Sequence, residues 1–190
     1  MIPVKSFQLA KGRLATAIPA ETRARMSREL AMRTVEASRS AAFSPLVVAG
    51  DAAVLAWCRD NDVDAIADPG GGLDQAAASG IDGNGKWVVI HADLPLLDGE
   101  DLAAIASVIE TGREVIAPSS DGGTSVIGAA RDIAFAYGPG SFHRHLARLI
   151  EPVIVARVGL LLDIDSGADL EAARAHPHGA WLNALIRAAI

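Results

Sequence analysis

Short apolar runs bounded by turn residues alternate along this chain with stretches whose apolar positions recur at helical spacing. The runs at 2–4, 45–49, 63–67, 87–90, 114–117, 125–129 and 152–156 are strand-length and mostly rich in β-branched residues. Between or after them, residues 21–38, 52–59, 73–78, 98–110, 141–150, 168–175 and 180–189 carry the 3.6-residue period of amphipathic helices. Strand and helix in alternation predict an α/β fold: a mostly parallel sheet with helices on both faces, Rossmann-like, with ligands at the carboxyl ends of its strands. One junction breaks the rhythm. The runs at 114–117 and 125–129 are joined by too few residues for a helical crossover, so they pair antiparallel or lie in different layers. Asp98, and Ser166 with Asp169 three residues on, read as helix caps.

The 190 residues, 51% of them hydrophobic, suffice for one core and favour a single domain over 1–190. A net charge of −6 argues against a nucleic-acid partner, which selects for a basic stripe. The positive charge is local: lysines and arginines gather in the first forty residues, while acids gather in the middle and near 163–171. A polyanion held between cations on one side and metal-binding acids on the other fits this division. Cys58, the only cysteine, sits among apolar residues and reads as a buried structural thiol. No leader and no membrane-length apolar run is present, so a soluble cytoplasmic protein without membrane partners is expected. The ending WLNALIRAAI carries enough apolar surface either to pack on its own domain or to join a homodimer.

Candidate chemistry starts where the first strand opens into a loop bearing Lys5, Lys11 and Arg13. Such a loop is either a phosphate cradle or a solvated basic turn. Asp93 follows the strand KWVVIHA, where parallel strands present functional groups and where helix caps also occur. Asp163 and Asp165 form a D-I-D pair, and alternate residues of an extended segment face one side. Two like charges that converge need a cation, so the pair reads as a divalent metal site, a partly protonated couple, or a solvated acidic turn. Mg²⁺ suits the first reading, because it takes a few carboxylates together with phosphate oxygens. Three glycine-rich segments, 68–74, 119–125 and 137–141, are each an ordinary turn taken singly. Together with Thr124 and Ser141 they outline a second anionic pocket, separate from the opening loop. His143 and His145 fall on different helix faces and His176 and His178 flank a proline, so neither pair has metal-ligand geometry. His91 lies on the strand side of Asp93 and reads as structural or as an adjunct to the site.

PVKSFQLAKGRL, DPGGGLD, HADLPLL, DGGTS, AYGPGSFHRHL and DIDSGADL stand in the order and spacing of a known group. Over residues 1–172 the chain resembles the phosphoenolpyruvate / 2-phospho-L-lactate guanylyltransferases of coenzyme F(420) biosynthesis. The resemblance implies a nucleotidyltransferase fold of the glycosyltransferase-A type. It also implies a reaction in which a phosphorylated three-carbon acid attacks the α-phosphate of GTP and pyrophosphate leaves. By motif, Asp93, Asp163 and Asp165 correspond to Mg²⁺ ligands; Thr124, Gly138 and Ser141 to the acceptor site; Lys5, Lys11 and Arg13 to the nucleotide loop; and Gly70, Gly71, Gly72 and Leu73 to the base-side loop. Lys11 and the three aspartates are the expected catalytic set.

Two departures stand out. Asp74 occupies a position where the family usually has Asn, exchanging an amide for a group that only accepts, beside the expected guanine and ribose contacts. Ser125 and Val126 follow Thr124 where Asn often stands, which bears on whether the acceptor is phosphoenolpyruvate, 2-phospho-L-lactate or 3-phospho-D-glycerate. Other nucleotidyltransferases of this architecture, acting on molybdopterin or sugar phosphates, open with a G-G-x-S-x-R-M-G loop that residues 3–14 lack. A catalytically silent nucleotide-binding domain would need no converging carboxylates.

Overall fold

In the computed structural model, which describes residues 1–81 and 85–187, β1 (Ile2–Val4), β2 (Leu46–Ala49) and β3 (Asp64–Ala67) pair in parallel in that order. Parallel pairing follows from the helical crossovers between them, α1 (Ala20–Ser40) and α2 (Ala52–Asp60). The second group comprises β4 (Trp87–Ile90), β5 (Val115–Pro118), β6 (Thr124–Ala129) and β7 (Val153–Ile154), ordered β4-β6-β5-β7. The short 119–123 connection makes β5 and β6 antiparallel; β6 is antiparallel to β4 as well, and β5 and β7 are parallel. Two bonds stitch the groups together: the Met1 nitrogen donates to the Val88 carbonyl at 2.7 Å, and Ile90 N–H donates to the Met1 carbonyl at 3.0 Å. That is a parallel bridge. The strands therefore form one mostly parallel sheet, β3-β2-β1-β4-β6-β5-β7, in which β6 alone is reversed.

Both faces of the sheet are covered, as the near-continuous apolar strands require. Val88 and Ile90 of β4, with Val115, Ala117 and Val126, pack beneath Leu102, Ile105 and Ile109 of α4 (Gly99–Glu110). The intervening Val89, with Ile116 and Ile127, faces the other way onto Ala77 of α3 (Leu73–Ser79) and Leu149. A further apolar cluster joins Met26 and Leu30 of α1 to Leu170 and Ala173 of α7 (Gly167–Ala175) and Leu182 of α8 (Trp181–Arg187). The terminal helix thus packs on its own chain, with Arg33 over the Trp181 ring at 4.6 Å. The expected helix positions 188 and 189, and the apolar Ile190, lie outside the described residues.

The anticipated caps are present as reciprocal boxes, Asp98 with Asp101 and Ser166 with Asp169. Cys58 is buried, and burial pushes its thiol pKa up. The expected helix over 141–150 is shorter: α5 (Ser141–Leu146) ends where Arg148 turns its guanidinium to the carbonyls of Ala134 and Phe135. The single-turn α6 (Val158–Leu161) is absent from the sequence reading, since four residues are too few to display a period. Among the described residues no helix is long and apolar enough to cross a membrane.

The chain returns to β2 on one side of β1, while β4 leads to strands on the other side. Such a reversal opens a crevice at the carboxyl ends of the two central strands. Lys5 directly follows β1 there, and His91 directly follows β4.

Candidate active site

Three carboxylates meet at this crevice. The chain leaves β4 through His91, whose N–H still donates to the Ser125 carbonyl at 3.0 Å, and reaches Asp93 two residues later. The Ile164 N–H donates to the Asp93 carbonyl at 3.1 Å, and the Ile164 side chain is fully buried. With Ile164 turned inward, the residues on either side turn outward together, as the alternation of an extended segment dictates. One oxygen each from Asp93, Asp163 and Asp165 consequently lies within 4.8 Å of the others. The Asp169 carboxylate accepts from the N–H of Asp165 at 3.1 Å and of Ser166 at 2.7 Å, fixing the segment to α7.

Lys11 joins this group. Its backbone is left-handed (φ 56°), at the start of the 3₁₀ turn Gly12–Leu14, and its ammonium lies 2.9 Å from Asp93 Oδ2 and 3.5 Å from Asp165 Oδ1. Burial opposes the lysine's charge, but Asp93 and then Asp165 outweigh it and raise its pKa. Burial likewise favours protonation of Asp93, and Lys11, followed by His91, reverses this and holds its pKa low. Asp163 has no share in the lysine's ion pairs. Burial, and then the Asp93 carboxylate, push its pKa up to about 6. Asp93 Oδ1 is buried without a hydrogen-bond partner. A crowded set of hard oxygen donors with one orphaned lone pair fits a small divalent cation.

Two clefts adjoin these acids. The first, about 350 Å³, is lined by Lys5, Phe7, Leu9, Lys11 and Leu73 together with His91, Asp93 and Asp165. The second, about 430 Å³, is lined by Arg13, Asp121, Thr124, Tyr137, Gly138, Ser141 and Asp163, and shares Leu73, His91, Asp93 and Asp165 with the first. The expected second pocket therefore exists but is not separate: the clefts are adjoining bays with Asp93 and Asp165 as their common wall. Arg13, grouped by sequence with Lys5 and Lys11, lies instead on the second cleft and reaches Asp165 at 3.4 Å. Of the base-side loop, Leu73 lines both clefts, whereas Gly70, Gly71 and Gly72 line neither. Their positive φ angles (86°, 82° and 98°) form the turn that starts α3.

Asp74, expected to bear on base recognition, is committed elsewhere. Its carboxylate accepts from the Tyr137 N–H at 2.7 Å and ties α3 to the 137–141 loop. Arg144 holds the same loop from behind, donating to the carbonyls of Ala136, Tyr137 and Pro139. His91 lines both clefts, its Nε2 is buried without a partner, and burial lowers its pKa. His145 went unassigned in the sequence. It is fully buried beneath Thr124 and Ser141, each 2% exposed, and Thr124 Oγ1 lies 2.9 Å from its Nδ1. An inward-facing histidine just after a glycine loop was the available signal, but its partner stands 21 positions away on β6.

A family profile described as "Guanylyl transferase CofC like" matches residues 1–185. The chain belongs to this family. Membership makes it a nucleotidyltransferase, as the adjoining clefts and shared acids suit. Among its relatives, a phosphoenolpyruvate guanylyltransferase from Rubrobacter xylanophilus is 33% identical over 187 residues, covering 90% of this chain and 90% of the relative. One of the same description from Nocardia farcinica is 32% identical over 203 residues, covering 98% and 89%. Among solved structures, one from Desulfovibrio desulfuricans G20, described as a nucleotide-diphospho-sugar transferase, superposes with a TM-score of 0.73 at 20% identity, covering 98% of this chain and 95% of that one. That likeness gives this CofC-family chain the nucleotide-diphospho-sugar transferase fold expected of a glycosyltransferase-A-type enzyme.

Proposed function

We propose that this chain transfers GMP from GTP to phosphoenolpyruvate and releases pyrophosphate, as a step in coenzyme F(420) biosynthesis. The observation that supports the reading is the shared wall: Asp93 and Asp165, with Asp163 grouped beside them on the second cleft, stand between a cleft bearing Lys5 and Lys11 and a cleft bearing Thr124, Ser141 and Arg13. A triphosphate in the first cleft and a phosphorylated acid in the second would meet at the acids. An acceptor phosphate oxygen then bonds to the α-phosphorus as the bridging oxygen to the β-phosphate leaves with the pyrophosphate. No general base is needed, because a phosphate monoester is already anionic near neutral pH.

The three aspartates would hold Mg²⁺, which when bound neutralises phosphate charge at the reacting centre. The protein's own part is orientation and charge. Lys5 and Lys11 spread the triphosphate's negative charge. Thr124 and Ser141 offer hydroxyls to the acceptor, and Gly138 in the same loop lets its backbone come close. Arg13, on the acceptor side, suits a carboxylate or phosphate. That both relatives are described as phosphoenolpyruvate guanylyltransferases favours phosphoenolpyruvate over 2-phospho-L-lactate and 3-phospho-D-glycerate.

The test is pyrophosphate release measured with GTP, ATP and CTP against each of the three acids, with Mg²⁺ present. Turnover should be fastest with GTP and phosphoenolpyruvate. Tight GTP binding without turnover on any acid would leave a silent nucleotide-binding domain and overturn the reading.

A further inference from the structure

The acceptor cleft has a buried support whose hydrogen-bond polarity is fixed by a single backbone group. The Ala136 N–H lies 2.8 Å from His145 Nε2. An amide nitrogen can only donate, so Nε2 must carry a lone pair. A neutral imidazole with a bare Nε2 holds its proton on Nδ1. Burial keeps the ring neutral, holding its pKa down at about 4. Nδ1–H therefore donates to Thr124 Oγ1, 2.9 Å away, and occupies one of that oxygen's lone pairs.

The consequence falls on the cleft. Ser141 Oγ lies 3.3 Å from Thr124 Oγ1, and the two hydroxyls have two protons between them. Because the histidine is the donor in its bond to Thr124, neither proton can be spent on it. Their mutual bond consumes at most one. At least one hydroxyl proton is left over in a cleft-lining pair whose threonine oxygen already accepts from behind.

We propose that His145 is a positioning residue that turns the Thr124–Ser141 pair into an outward donor for the anionic oxygens of the acceptor acid. The inference rests on the reading of the second cleft as the acceptor site. A bare threonine rotates and both donates and accepts, whereas this one is biased toward donation before the anion arrives. Pre-orientation of this kind strengthens binding by removing the cost of ordering the group. It also disfavours ligands that would have to donate to Thr124, such as an amide or an alcohol in place of the carboxylate.

Two substitutions separate the ring's nitrogens. His145→Gln can still present an acceptor to Ala136 N–H but offers nothing at the Nδ1 position. His145→Asn places an amide N–H near Nδ1 and abandons Ala136. The proposal predicts that His145→Gln raises KM for phosphoenolpyruvate about tenfold with KM for GTP unchanged, the size of one oriented hydrogen bond. His145→Asn should recover most of that affinity while lowering Tm. In a Thr124→Val background, His145→Gln should add no further loss, because it acts only through the hydroxyl. Nitrogen-15 NMR of the wild-type protein should show Nδ1 protonated and Nε2 bare at pH 7. A wild-type KM in His145→Gln beside a raised KM in Thr124→Val would overturn the proposal and spare the acceptor site. Unchanged values in both would remove the acceptor-site reading as well, and an Nε2-protonated ring would overturn the proposal by itself.

Discussion

Lys11 sits where opposing demands meet. Its ammonium, with a side chain only 8% exposed, neutralises Asp93 and Asp165 together. Removing it strands two carboxylates beside a third, and an unpaired partly buried charge is far more costly than a lost surface ion pair. Lys11→Met should therefore lower Tm in the absence of divalent ions, and saturating Mg²⁺ should raise its Tm more than that of the wild type, both read by differential scanning fluorimetry. His145 gives a second expectation at this scale. Its folded pKa, about 4, lies below the ordinary 6.5, because burial outweighs the favourable Asp74 charge and Arg148, Arg144 and His91 add to the depression. The unfolded chain binds a proton the folded chain refuses, so stability is lost as pH falls from about 6.5 to about 4. His145→Gln should lose less stability across that window, by up to about 3 kcal/mol in urea titrations. The three acids were legible in the sequence because strand ends and i, i+2 spacing are local properties. His145 was not, because its role depends on Thr124 across α5 and β6.

Elements carry these residues into register, and a single helical turn, α6, matters most. α6 precedes the D-I-D segment, and Gly159 within it lies so close to Asp101 of α4 that a Cβ would overlap the Asp101 carboxylate. That carboxylate also accepts from Arg157 Nε at 2.6 Å, and Leu161 O takes the Ser120 N–H at 2.7 Å. α6 is thus clamped between α4 and the 119–123 turn. Gly159→Ala must push α6 away, costing about 1–3 kcal/mol of stability and also lowering kcat, since Asp163 and Asp165 move with it. An unchanged kcat beside a lowered Tm would detach α6 from catalysis. Most elements were visible from periodicity, and the antiparallel β5–β6 pair was one of the two arrangements that the length of its connection allowed. α6 was hidden because a single apolar turn is too short to display a helical period. The expected extent of β7 and α5 shrank because the tertiary contacts of Arg148, and of Glu114, which accepts from the Ile150 N–H, decide where those elements stop.

At the scale of the molecule, the Met1–β4 bridge makes one sheet out of two, with apolar clusters on both of its faces. The chain should consequently unfold as one unit, with tryptophan fluorescence and far-ultraviolet circular dichroism giving the same urea midpoint. Two separated transitions would divide it at the β1–β4 seam. Charge follows the same geometry: cations from the amino-terminal loop face acids drawn from two distant stretches, although the whole molecule carries −6. The Lys11 contacts with Asp93 and Asp165 span 82 and 154 residues, so no local pattern could reveal them. The central claim is that these acids form one divalent-cation site at the edge of the nucleotide cleft. It is tested most directly by titrating Mn²⁺, followed by its paramagnetic resonance signal, into the protein with GTP present. Wild-type protein should bind the ion, and Asp93→Asn, Asp163→Asn and Asp165→Asn should each weaken it by about tenfold or more with the fold intact. Mn²⁺ binding at wild-type strength in all three variants would contradict the account.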